Sequence, residues 1–160
     1  MKIELIKCNK NHIDKLFYFI NELAKHQNSQ DEVKLDKKRL MHFFPNQHGN
    51  INVYLIKEKS TKAIIGYLVY FLNFSTFEWK HGIFVEDIYI SPEYRSKGYG
   101  RDVFTLLARI AKENDYSRIE WCSVKTNKRA IDFYKSIGAK ILHGKYLLRM
   151  DSRQIDDFAK

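Results

Sequence analysis

A mixed α/β (α+β) layered fold is what this sequence predicts, and three observations predict it. Runs of strand-like and helix-like apolar periodicity alternate along the chain in the order β-α-α-β-β-β-α-β-α-β-β. The 160 residues are 44% hydrophobic, enough for one proper core. No repeat, low-complexity tract or linker interrupts them, so residues 1–160 read as a single domain.

Lys2 to Lys7 reads as the opening strand. Asn11 to Gln27 follows as an amphipathic helix with Ile13, Leu16, Phe17, Ile20 and Leu23/Ala24 on one face. A polar break, Asn28 to Glu32, separates it from a second helix over Asp36 to Phe44. Asp36 is placed to cap that helix, and Pro45 and Gly49 to close it. Two β runs come next, Ile51 to Lys57 and Ala63 to Leu72, joined by a polar turn at Glu58 to Thr61. An aromatic segment, Asn73 to Trp79, leads into a strand over Gly82 to Ile90. Then follow a helix Tyr99 to Asn114, a strand Arg118 to Val124 and a helix Asn127 to Ile137. Two last strands are expected near Lys140 to Leu142 and Lys145 to Met150, with a short terminal helix over Ser152 to Phe158.

The chemistry concentrates between Val85 and Gly100. A strand ends at Ser91-Pro92, because proline has no N–H to donate and biases its predecessor to extended geometry. From Val103 a helical stripe runs through Leu106, Leu107, Ile110 and Ala111. Arg95, Gly98 and Gly100 stand where that helix begins. A helix start offers unpaired N–H groups and the positive end of its dipole, and glycines let an anion approach closely. A pyrophosphate is the natural guest, and a plain solvent turn uses the same residues.

Charge points the same way. The formal net charge is +9, and residues 101–160 hold 13 basic against 8 acidic side chains. Such a surplus suits either nucleic-acid phosphates or a cofactor bearing a pyrophosphate and a 3′-phosphate, as coenzyme A does. The cofactor needs fewer assumptions, so no nucleic-acid partner is expected. No apolar run nears the roughly 20 residues that span a bilayer, and Met1 to Lys7 lacks a secretory core, so no membrane partner is expected either. Cys8 and Cys122 are too few for a disulfide framework, which points to the cytoplasm. Cys122 falls on an apolar strand and reads as inert. His12, His26, His42, His48, His81 and His143 show no metal-ligand spacing, so no metal is assigned.

Two segments together resemble the GNAT superfamily of acyl-CoA-dependent N-acetyltransferases. Arg95, Gly98 and Gly100 match its Arg/Gln-x-x-Gly-x-Gly/Ala loop. Asn127, Ala130, Phe133, Tyr134, Gly138 and Ala139 match its Asn…Ala…Phe-Tyr…Gly-Ala block. The resemblance implies a mostly antiparallel twisted sheet of six to seven strands flanked by about four helices, with a splayed central strand pair. It implies acetyl-CoA as cofactor and a small-molecule amine as partner, in a homodimer. Arg95, Ser96, Lys97, Gly98, Tyr99 and Gly100 would cradle the pyrophosphate, with Arg101 and Lys135 near the phosphates. Ile88, Tyr89 and Ile90 would line the pantetheine and acetyl carbonyl, with Asn127 and Phe133 on the pantetheine arm.

The resemblance also makes Tyr134 the acid that protonates the departing thiolate; on spacing alone it reads as a core aromatic. Glu86 is the base, acting directly or through water. Glu86 and Asp87 are adjacent carboxylates on an apolar strand, and strand alternation puts them on opposite faces unless a bulge intervenes. Within the superfamily the chain is most similar to the diamine (spermidine/spermine) and thialysine acetyltransferase group. That likeness rests on Glu22-Leu23-Ala24-Lys25-His26, Glu32-Val33, Phe74 to Phe77 and Val85 to Arg95. It departs from the group at Lys125-Thr126, where an acidic residue and a tryptophan are usual. A polyamine needs carboxylates along an aromatic-walled channel. Asp31, Glu32, Glu78, Glu86 and Asp87, with Trp79, Phe77 and Tyr67, are the candidates; a solvated loop and a plain aromatic core are the alternatives.

Overall fold

Five strands lie side by side in sequence order in the computed structural model, which describes residues 1–44 and 50–160. The predicted helix stop at Pro45 and Gly49, and His48, lie outside the described residues. The chain divides into two compact units, Met1–Cys122 and Ser123–Lys160.

In the first unit β1 (Ile3–Lys7), β2 (Ile51–Glu58), β3 (Ile64–Ser75) and β4 (Lys80–Ile90) form antiparallel pairs. β5 (Ile119–Trp121) joins β4 in parallel. α1 (Ile13–Gln27) and α2 (Lys37–Phe43) cover one face. Leu16, Phe19 and Leu40 of these helices pack with Val53, Leu55, Tyr67 and Tyr89 of the strands, the apolar positions that alternation turns toward them. Phe19, absent from the expected stripe, is among the most buried side chains. α3 (Tyr99–Glu113) packs against β1, β4 and β5, burying Val103, Phe104, Leu107 and Ala111. Local chemistry sets the helix ends. The Asp36 carboxylate accepts from the Arg39 N–H at 2.8 Å, a cap worth about 1 kcal/mol. Asn28 closes α1 in the left-handed region at φ 54°.

The β2–β3 turn is held by one carboxylate. Glu58, almost inaccessible, accepts from the Ser60 hydroxyl at 2.7 Å, the Thr61 N–H at 2.7 Å and the Thr61 hydroxyl. These bonds, the Thr61 hydroxyl foremost, hold its pKa down at about 2. A carboxylate with a depressed folded-state pKa stabilises the fold above its unfolded pKa and loses that stabilisation as pH falls through the folded value. Glu58→Gln is therefore expected to melt below wild type at pH 7, with the gap closing between about pH 4.5 and about pH 2. Thermal melts across that range check it; parallel curves would refute the assignment.

The second unit holds α4 (Lys128–Ser136) and α5 (Ser152–Phe158). Asn127 caps α4, its side-chain oxygen accepting from the Ala130 N–H at 3.2 Å. Gly138 ends the turn after α4 at φ 93°, donating its N–H to the Lys135 carbonyl, while the Ala139 N–H reaches the Tyr134 carbonyl. Asp151 and Gln154 form a reciprocal capping box on α5.

Two expectations are corrected here. The strands expected at Lys140–Leu142 and Lys145–Met150 do not form, so among the described residues the sheet has five strands rather than six or seven. Tyr146, Leu147 and Leu148 are exposed, and a strand pattern without a hydrogen-bonded neighbour stays irregular. β5 stops at Trp121, which leaves Cys122 exposed rather than inside an apolar strand.

Candidate acetyl-transfer site

The expected splay is visible along β4. Its parallel pairing with β5 consists of Ile83–Ile119, Phe84–Glu120 and Val85–Trp121, and ends there. Glu86 to Ile90 continue past the end of β5, with Asp87 to Ile90 still paired to β3 on their other edge. This leaves a stretch of β4 main chain facing no strand among the described residues.

A β-bulge sits where the splay begins. Tyr70 opposes Val85 but Val69 opposes Asp87, so Glu86 is the extra residue. Opposed residues share a sheet face. Val85 therefore lies with Tyr70 on the α3 side, and Asp87 lies with Val69 on the α1 side. Glu86, the extra residue, has no partner on β3. The bulge thus sets Val85 and Asp87, two residues apart, on opposite faces, which plain alternation forbids.

Their surroundings differ. Glu86 is exposed. Asp87 is half-buried and accepts a hydrogen bond from the Tyr67 hydroxyl at 3.0 Å. Burial raises the Asp87 pKa; the Tyr67 hydrogen bond opposes this and the Glu86 charge adds to it. Burial, then the Asp87 charge, pushes the Tyr67 phenol far above its usual range. Asp87 and Tyr67 form the floor of a cleft of about 150 Å³, with Leu23, Gln27, Ser29 and Glu32 on its walls. The lining includes two carboxylates and no lysine, arginine or histidine.

The loop after β4 leads into the start of α3. Pro92–Tyr94 forms a single 3-10 turn, Ser96 stands at φ 62°, and Gly98 occupies the N-cap at φ 88°. Gly98 has no side chain to cap the first turn, and nothing lies within 4 Å of where its Cβ would be. An open helix start reached through a left-handed glycine fits a pyrophosphate, and Tyr99, Gly100 and Arg101 supply its first turn. Tyr99 is buried against Tyr94, with ring centroids 6.4 Å apart. The Lys97 ammonium lies over the Tyr94 ring at 5.2 Å.

Arg95 does something the sequence did not suggest. Its Nε donates to the Ile90 carbonyl at 2.8 Å, its guanidinium lies over Tyr89 at 5.5 Å, and it reaches His26 on α1 at 3.4 Å. Burial, then Arg95, lowers the His26 pKa, which favours the neutral ring beside a cation. Arg95 therefore ties the loop to the end of β4 and to α1.

Other sequence candidates fall in different places. Ile88, Tyr89 and Ile90 lie on the splayed stretch, and Asp31 is exposed on the 3-10 turn Gln30–Glu32. Glu78 and Trp79 sit in the β3–β4 turn, roughly 25 Å along β4 from Asp87 at about 3.3 Å per residue. There Glu78 pairs with Arg118 at 3.8 Å, and Trp79 meets Phe74 edge-on. The fold does not bring them to the Asp87 cleft of the same chain. In the second unit Phe133, Tyr134 and Lys135 are on α4, the first two with ring centroids 5.4 Å apart. Burial raises the Tyr134 phenol pKa. A shallow hollow of about 310 Å³ beside Met150, Gln154 and Phe158 carries only Asp157 as a charged lining residue.

Residues 17–139 match the acetyltransferase (GNAT) family. The chain belongs to that family. As a GNAT protein it is an acetyl-transferring enzyme. It is 33% identical over 130 residues to a thialysine N-epsilon-acetyltransferase of Bos taurus, spanning 77% of this chain and 75% of that protein. It is 33% identical over 88 residues to an L-ornithine N5-acetyltransferase of Arabidopsis thaliana, covering 55% of this chain and 39% of that one. Among solved structures, an integron cassette protein from the mobile metagenome of V. cholerae superposes with a TM-score of 0.79 at 26% identity. That match covers 100% of this chain and 99% of the other. Among the described residues no helix is long and apolar enough to cross a membrane, and no cluster of three or more His, Cys, Asp or Glu could hold a metal.

Proposed function

We propose that this GNAT protein transfers an acetyl group from acetyl-CoA to a primary amine by direct attack, and that the amine is a small diamine or polyamine. The observation that carries the reading is the bulge at Glu86, which breaks the alternation of β4 where its pairing with β5 ends. Coenzyme A, when bound, supplies the acetyl group as a reactive thioester. The main-chain N–H groups from Ser96 to Gly100 hold its diphosphate, with Arg101 and Lys135 near the phosphates. Tyr89 lines its path with Asn127 and Phe133, and the N–H groups of Ile88 and Ile90 face the acetyl carbonyl.

Glu86 takes a proton from the acceptor ammonium, directly or through one water. The freed nitrogen lone pair forms the C–N bond as the C–S bond breaks, and Tyr134 gives its phenol proton to the departing sulfur. Burial favours the protonated phenol, the form an acid needs. Glu32 and Asp31 draw in cationic acceptors. The reading takes residues 1–160 as one acetyltransferase domain working as a cytoplasmic homodimer, without nucleic-acid or membrane partners.

The names of the relatives favour a second acceptor class, an amino acid carrying a side-chain amine; a protein amine is a further alternative. A different class of function, nucleic-acid binding, would follow from the +9 charge. One measurement separates these readings. Thiol release from acetyl-CoA is expected with small diamines, alongside a thermal shift from coenzyme A that mixed DNA does not reproduce at moderate salt. A protein with no affinity for coenzyme A in any acylation state would overturn the proposal.

A further inference from the structure

The loop that opens α3 is held from the far side of the sheet by Lys2, the residue just before β1. All three polar groups of Lys2 are engaged. Its N–H donates to the Asp102 Oδ2 at 2.6 Å, and its carbonyl accepts from the Lys59 N–H at 2.9 Å. Its ammonium donates to the Lys97 carbonyl at 3.1 Å. Lys59 belongs to the β2–β3 turn that Glu58 closes, and β1 is paired along its length to β2, Ile3 opposite Glu58. Lys2 is therefore fixed on one side to the sheet and on the other to the first turn of α3. From that double anchorage its side chain reaches the loop.

The atom it reaches matters. In a trans peptide the C=O and N–H point in opposite directions, and no peptide bond among the described residues is cis. The Lys97 carbonyl and the Gly98 N–H belong to one such unit. A carbonyl drawn toward Lys2 turns the Gly98 N–H to the side of the loop away from β1. Little else restrains this unit. Gly98 stands at φ 88° with no side-chain cap and nothing within 4 Å of its Cβ position, and glycine turns at small steric cost. The Lys97 side chain is itself committed to the Tyr94 ring at 5.2 Å. The donor that orients the loop thus comes from a residue nearly a hundred positions away in the chain.

We propose that Lys2 is a positioning residue for coenzyme A: its ammonium sets the Lys97–Gly98 peptide and so aims the Gly98 N–H at the diphosphate. The inference rests on the reading that the N–H groups from Ser96 to Gly100 hold the diphosphate. It goes beyond that reading by naming what shapes the loop before the cofactor arrives. Lys2 does not touch the cofactor. It lowers the ordering cost that binding would otherwise meet.

The test compares Lys2→Met, which keeps an unbranched apolar stem and removes the ammonium, with Lys2→Arg, which restores a cationic donor. Lys2 is exposed, so both variants should melt within about 2 °C of wild type. Calorimetric titration with coenzyme A is expected to show a Kd raised about threefold to tenfold in Lys2→Met, the scale of one exposed hydrogen bond. Lys2→Arg should bind within about twofold of wild type, because a guanidinium also donates to a carbonyl. Dephospho-coenzyme A, which keeps the diphosphate and lacks the 3′-phosphate, should lose the same factor in Lys2→Met. In thiol-release assays the loss should sit in the KM for acetyl-CoA with kcat unchanged. S-acetylpantetheine, which carries no phosphate, should serve wild type and Lys2→Met equally. A loss that disappears with dephospho-coenzyme A would make Lys2 a direct 3′-phosphate ligand and overturn the positioning role. An equal loss with S-acetylpantetheine, or a matching fall in melting temperature, would make Lys2 a general prop of the fold and overturn it too. Wild-type affinity in Lys2→Met overturns the proposal and leaves acetyl transfer standing. A wild type with no affinity for coenzyme A overturns the acetyl-transfer reading itself, and the role of Lys2 with it.

Discussion

Glu86→Gln is expected to lower acetyl-transfer turnover by a factor of about 10² to 10⁴, the usual contribution of a positioned general base. The substitution suits the site. Glu86 is the extra residue of the bulge, exposed, and has no hydrogen bond or ion pair among the described residues. Glutamine keeps its length and removes the negative charge together with the ability to accept a proton. Melting temperature and coenzyme A affinity should therefore stay at wild-type values while kcat falls. The deficit should also shrink as pH rises toward the pKa of the amine, about 10.4 for an alkylammonium, because the acceptor then arrives already deprotonated. The raised pKa of Tyr134 keeps the acid in its working form into that alkaline range. A variant with wild-type kcat near pH 7 would remove Glu86 from the chemistry. A uniform deficit at every pH would make its role electrostatic rather than proton transfer.

What the sequence makes legible is whatever a residue settles with its near neighbours. Asp36 caps its helix and the terminal helix spans Ser152–Phe158, both as expected, whereas Asn127, read only as a contact for the pantetheine arm, caps α4. Gly98 stands at a left-handed N-cap because a turn into α3 requires one. The adjacent acids Glu86 and Asp87 hint at a bulge. Its position, though, depends on how β3 registers against β4, which no local pattern encodes. Long-range partners stay hidden for the same reason. The use of Arg95 as a brace to Ile90 and His26, and of Tyr67 as a donor to Asp87, joins residues far apart in the chain. A phenol inside the run Ile64 to Leu68 was the one available clue, since a buried hydroxyl demands a partner. The two missing strands show the converse error. Lys145 to Met150 has the residue types of a strand, but strands are made by pairing, and Tyr146 and Leu148 remain exposed.

Gly66→Ala is expected to cost about 3 kcal/mol or more, at or above the upper end of overpacking penalties. Gly66 pairs with Ile90 across the β3–β4 ladder, just beyond the bulge. A Cβ there would stand 2.0 Å from the Tyr89 carbonyl oxygen, 2.9 Å from its carbon and 3.1 Å from the Ile90 Cα. All three are main-chain atoms, so no rotamer change relieves the clash. The strands must separate instead, which weakens hydrogen bonds where β4 has already lost β5 on its other edge. For a domain of this size each kcal/mol shifts the melting temperature by about 2–4 °C, so a fall near 10 °C is expected. Gly98→Ala is the control. Nothing lies within 4 Å of its Cβ, and it carries only the left-handed penalty of roughly 1–2 kcal/mol. The two variants also separate function from stability. Gly66→Ala moves the Ile90 carbonyl that anchors Arg95, so coenzyme A affinity should weaken even well below the melting transition. Should Gly66→Ala melt within a degree or two of wild type, the close approach of β3 to β4 is not what holds the splayed strand in place.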